Sequence, residues 1–132
     1  MTTTRPDKTA SSATTTPVTG TLRADRTEVN SIYDDAGRSV VRYFTYVRRD
    51  YFLAGAPDIR GAGRRYPFHP TGTSLSWARM NTDAWELRSV NVSGVRVLKS
   101  GAPGAEVPHL MLLMREVPQW LLSFAEANRP TD

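Results

Sequence analysis

The run from Val40 to Val47 constrains the fold most. Val40, Val41, Tyr43, Phe44, Thr45, Tyr46 and Val47 are all β-branched or aromatic. Such side chains fit a pleated surface and lose χ1 freedom in a helix. In an extended chain Val41, Tyr43, Thr45 and Val47 share one face, and Val40, Arg42, Phe44 and Tyr46 the other. Both faces are largely apolar, so a central strand covered on both sides is expected. The preceding Asp34-Asp35-Ala36-Gly37 is a turn sequence, with Gly37 able to take positive φ. Residues 27–33 and 39–47 therefore read as a β-hairpin.

A second hairpin is expected from residues 75–80 and 84–92, turning at Asn81-Thr82-Asp83. Its returning strand is apolar at Trp85 and Leu87 and then at Val90 and Val92. That one-residue change of phase marks a β-bulge near residues 88–90. Ser93-Gly94 reads as a break, residues 95–99 alternate again, and residues 100–104 form a loop. Residues 107–114 read as a buried strand with Pro108 near its start, where a missing N–H costs least. Residues 118–128 read as a helix. Pro118 suits its first turn, Leu121, Phe124 and Ala125 recur at helical spacing, and Pro130 stops it.

The expected class is thus α+β: a mostly antiparallel sheet of about five or six strands with one C-terminal helix packed on it. Residues 1–20 are rich in Thr and Ser and lack structural periodicity, so they read as a disordered tail. Residues 21–132 then make one small domain. No segment approaches the roughly twenty apolar residues of a membrane helix, and residues 1–20 lack the apolar core of a signal peptide. A cytoplasmic or virion-associated protein, with no membrane partner, is the expectation.

The chain has no cysteine and a net charge of +4, with arginine far in excess of lysine. Residues 38–69 concentrate both arginines and aromatic rings. Residues 54–73 are rich in glycine and proline and read as a long loop, and long loops are often functional. The candidate binding residues are Arg48, Arg49, Tyr51, Arg60, Arg64, Arg65, Tyr66 and Phe68. Arginine and aromatic side chains are enriched at interface hot spots. Buried, the same aromatics would simply pin the loop down. A GC-rich genome, which encodes arginine cheaply, is the simpler account of the excess.

No catalytic residue, metal site or cofactor is expected. His69 and His109 have no nucleophile or carboxylate supplied locally, and a base must lie within hydrogen-bond reach of its partner. Asp34 and Asp35 are adjacent turn residues and make a poor carboxylate pair. Nucleophile-elbow, zinc-protease, dinucleotide and P-loop motifs do not occur.

The segment Val90-Asn91-Val92-Ser93-Gly94-Val95-Arg96-Val97-Leu98-Lys99-Ser100-Gly101 resembles part of small uncharacterised proteins of actinobacteria and their phages. Pro118, Trp120, Leu121 and Asn128-Arg129-Pro130 are similar to their closing helix. The resemblance implies a lineage and no activity. Together these readings favour a non-enzymatic binding or assembly protein that meets a protein partner, or another copy of itself, through the basic and aromatic loop. The alternative is nucleic-acid binding, with the arginines between Arg48 and Arg65 on phosphates and the aromatics stacking on bases.

Overall fold

Each turn reverses the chain, so strands that follow one another in sequence lie side by side. The computed structural model describes residues 18–34, 36–60 and 67–131. Within them run β1 (Thr19–Tyr33), β2 (Val40–Ala54), β3 (Phe68–Met80), β4 (Glu86–Val97) and β5 (Pro103–Leu112). A 3-10 turn (Met114–Glu116) leads into helix α1 (Gln119–Ala127). The strands form one antiparallel sheet in the order β1-β2-β3-β4-β5. This is the expected α+β class, with five strands and one helix among the described residues.

The first turn closes as the residues dictate. Gly37 takes φ +70°, its N–H donates to the Asp34 carbonyl at 2.8 Å, and the Arg38 N–H donates to Asp34 Oδ1 at 2.9 Å. The hairpin extends beyond its expected bounds. Thr19 and Gly20, expected in the tail, pair with Ala54 and Leu53. The remainder of that tail, residues 1–17, lies outside the described residues, as does Asp35.

The second hairpin turns at Asn81, whose φ is +51°. The expected bulge is present: Ser76 pairs with Ser89 and Trp77 with Leu87, which leaves Arg88 as the extra residue. The bulge puts both Leu87 and Val90 on the face that carries Trp77 and Leu75. Ser93-Gly94, expected as a break, instead continues β4, and the irregularity falls on the partner strand between Pro70 and Gly72. Pro108 sits within β5 rather than at its start. β5 borders the sheet, where a residue without an N–H costs no inner ladder bond. β3 already begins at Phe68, inside the loop expected at residues 54–73.

Helix α1 starts after Pro118 and ends at Asn128, within a residue of its expected bounds. Its apolar side lies on one face of the sheet. Leu121 and Ala125 are fully buried with Val47, Leu75, Trp77, Val90, Val92 and Leu112. Phe124 meets Tyr51 edge-on, ring centroids 5.1 Å apart at 88°. Beyond the helix, Arg129 grips Glu126 with two hydrogen bonds of 2.6 and 2.9 Å, donates to the Trp85 carbonyl and lies 5.0 Å above the Trp77 ring. The helix end is thereby tied to the second hairpin.

Among the described residues α1 is the one α-helix, and it covers one face of the sheet. The expectation that residues 39–47 form a strand buried on both sides is therefore corrected: Val40, Val41 and Tyr46 are exposed. β3 reaches β2 only from Phe44 onwards. Among the described residues no helix is long and apolar enough to cross a membrane.

Candidate functional site

Alternation along a strand sends neighbouring side chains to opposite faces, and this disperses the expected basic cluster. Arg49 points to the helix side. Its Nε lies 3.3 Å from Asp25 Oδ2, and its Nη1 donates to the Asn128 carbonyl at 3.3 Å. Arg48 points to the open face, where its Nε donates to Ser74 Oγ at 3.0 Å and to Asp50 Oδ1 at 3.3 Å. Arg60 is exposed. Arg64, Arg65 and Tyr66 lie outside the described residues.

Tyr51 and Phe68 were candidate binding aromatics, and here the structure corrects the reading: both are core residues, 6% and 2% exposed. Each such ring has 150–250 Å² to bury, and α1 and the folded-back loop supply the cover. Burial accordingly pushes the Tyr51 phenol above its ordinary pKa. The described candidates thus form no single recognition face. Phe68 was hidden in the sequence by the prolines and glycine around it, which disguise the start of β3.

His69 also departs from expectation. Ile59 and Phe68 exchange two backbone hydrogen bonds, 2.7 and 2.9 Å long, and this bridge brings Asp58 opposite His69. Asp58 Oδ1 and His69 Nδ1 are 2.9 Å apart. A carboxylate therefore does reach this histidine, supplied by a backbone bridge that sequence spacing did not reveal. The pair straddles the bridge and fastens the start of the loop to β3. Among the described residues no group of three or more His, Cys, Asp or Glu side chains could hold a metal.

Two features of the open side were not foreseen. The first is a polar row across the sheet. Register aligns Asp50 with Ser74 and Asn91, one residue from each of three strands. Beside it lies a cavity of about 150 Å³ that includes Arg23, Arg48, Asp50, Ser74, Asn91, Ser93 and His109 in its lining.

The second is an arm. β2 continues to pair with β1 beyond the point where β3 ends, so Val40 to Tyr43 and their β1 partners stand as a two-stranded ribbon. Tyr43 closes the supported part, since its N–H donates to Asn81 Oδ1 at 3.1 Å and its carbonyl accepts from the Asn81 N–H at 2.8 Å. On or next to the ribbon, Val29, Tyr33, Val40 and Val41 are each at least half exposed.

No protein family, curated protein or solved structure shows significant similarity to this chain.

The site's chemistry must therefore be read from its own residues. β1 could have been recognised as an outer strand. Its closely spaced Arg23, Asp25, Arg26 and Glu28 suit a strand with solvent beside it, and all fifteen of its residues are exposed.

Proposed function

We propose that the protein is a non-enzymatic assembly module whose β1 edge receives β1 of a second copy of the chain. The observation that carries this reading is the unsupported β1–β2 arm. A two-stranded ribbon is marginally stable alone, and this one holds Ile32, Tyr33, Val40 and Val41 in solvent at 40–56% exposure. A long edge strand with unpaired backbone groups is also a template for pairing with another chain.

The charges of β1 favour a second copy as occupant. Two antiparallel copies of one strand are related by a two-fold axis perpendicular to the sheet, which passes through a single residue position. Axes through Asp25, Arg26 or Glu28 would set like charges against each other. An axis through Thr27 sets Arg26 of each copy opposite Glu28 of the other, and opposite charges across strands are favourable. Within its own chain Arg26 faces Arg48 on β2. A second Glu28 on its outer side would offset that repulsion. The arm of each copy would then run along the supported part of the other's β1, and the two sheets would become continuous.

The lineage implied by residues 90–101 and 118–130 adds virion-associated assembly to this reading. The nucleic-acid alternative loses support, because Arg48 and Arg49 diverge and each engages an acid. Sedimentation velocity tests the proposal. The native chain is expected to be dimeric or larger, Glu28→Arg and Arg26→Glu to be monomeric, and the double exchange to regain the native size. A native monomer, or a double variant that stays apart, would refute it.

A further inference from the structure

The polar cavity on the open face is a second site with its own chemistry. It lies at the opposite end of β1 from the arm. Arg23 is the bulge residue of β1, skipped between the pairs Leu22–Tyr51 and Ala24–Asp50. A bulge re-aims a side chain, and this one brings the Arg23 guanidinium to the cavity, 5.5 Å from the Phe52 ring centroid. Arg48 enters from β2. Its Nε is taken up by Ser74 and Asp50, which fixes the plane of the guanidinium and leaves its outer nitrogens without a described partner. Ser93 and His109 also line the cavity.

Asn91 is the third element. It is 8% exposed, its backbone carbonyl accepts from Thr73 Oγ1 at 2.8 Å, and its side-chain oxygen is buried without a hydrogen-bond partner. That oxygen is free to accept a hydrogen bond from a ligand. A buried polar atom without a partner calls for an explanation.

Two arginines against one carboxylate favour an anion. Guanidinium groups suit the oxygens of tetrahedral or planar oxyanions. The carboxylate sharpens the choice. Asp50 is held ionised by Arg48 and Ser74, so an anion without a proton meets repulsion there. An anion that carries a hydroxyl can donate to Asp50 or to the Asn91 oxygen while its other oxygens accept from Arg23 and Arg48. A cavity of about 150 Å³ has space for several waters, each taking about 30 Å³ in the liquid. A phosphate group fits that space.

We infer that this cavity binds a protonated tetrahedral oxyanion, the hydrogen phosphate group, with Arg23 and Arg48 as donors and Asp50 as the acceptor that reads its proton. Sulfate is the discriminating control, having the same shape and no proton at neutral pH.

Calorimetric titration of the full chain with inorganic phosphate, glycerol phosphate and sulfate tests the inference. At about pH 6, near the second pKa of a phosphomonoester, phosphate and its monoester still carry a proton and are expected to bind at least about tenfold more tightly than sulfate, the value of one hydrogen bond to a charged group. If inorganic phosphate is the tighter, the natural ligand is the free ion; if glycerol phosphate is, it is a small phosphomonoester. Asp50→Asn is expected to abolish the preference over sulfate. Arg23→Gln, at an exposed bulge that leaves the core untouched, is expected to weaken both anions by about tenfold. Equal affinity for phosphate and sulfate in the native chain, or no binding of phosphate at millimolar concentration, would overturn the inference. Sulfate discrimination that persists in a folded Asp50→Asn variant would remove Asp50 from the reading role and overturn it equally.

Discussion

Phe68 and Arg60 were both read as candidate contacts, and eight residues apart they have opposite fates. Phe68 is packed in the core beside Ile59, whereas Arg60 is exposed. Phe68→Ala should lose about 3–5 kcal/mol of stability, as large core truncations do. Arg60→Ala should stay within about 0.5 kcal/mol. Urea denaturation measures both, and a mild Phe68→Ala would contradict the burial of that ring. Composition showed that the segment was aromatic and basic. It could not show which residues point inward, because that depends on what lies across the sheet.

Asp50 makes a prediction about acid. Burial works to raise its pKa, but hydrogen bonds from Ser74 and Arg48 and the charges of Arg48 and Arg23 hold it below the ordinary carboxylate range. A group whose pKa is depressed on folding adds stability that is present above its unfolded pKa and is lost as pH falls through its folded one. Stability of the native chain should therefore begin to fall below about pH 4 with a component missing from Asp50→Asn. Denaturation curves at stepped pH check this; identical pH slopes for the two proteins would refute it.

At the scale of elements, the bulges organise the sheet. Arg88 as an extra residue lets Leu87 and Val90 both face α1, and the change of apolar phase made this visible in the sequence. The irregularity between Pro70 and Gly72 had no such signal, since the residues there are small or lack an N–H. Gly94 pairs with Pro70 at that point, and a Cβ on Gly94 would collide with the His69 carbonyl, with the carbonyl carbon only 2.9 Å away. Backbone cannot swing aside as a side chain can. Gly94→Ala should cost about 1–3 kcal/mol, the usual range for overpacking, and lower Tm; an unchanged melting curve would rule out this close approach. The helix was legible for a different reason. Its proline start, its apolar spacing and its proline stop all act within one short stretch of chain.

Across the whole molecule the two faces of the sheet differ, and so do the two ends of its first hairpin. One face is closed by α1 and holds the core, while the other carries the polar cavity. One end of the hairpin is backed by β3 and the other stands free. If β1 edges pair, folding is coupled to association, and Tm rises with protein concentration. Calorimetry over a wide concentration range should show that rise in the native chain and a flat Tm in Glu28→Arg; a flat native profile would argue for an isolated chain.

The antiparallel α+β class, the two hairpin turns, a bulge near residues 88–90 and the limits of α1 were determined by the sequence alone, because alternation, turn chemistry and helix termination act between residues close together in the chain. Two things were decided only in three dimensions: the burial of Tyr51 and Phe68, and the exposure of the arm. Each depends on how far one strand outruns the next and on which face the single helix covers. Those are relations between distant segments, and no local pattern encodes them.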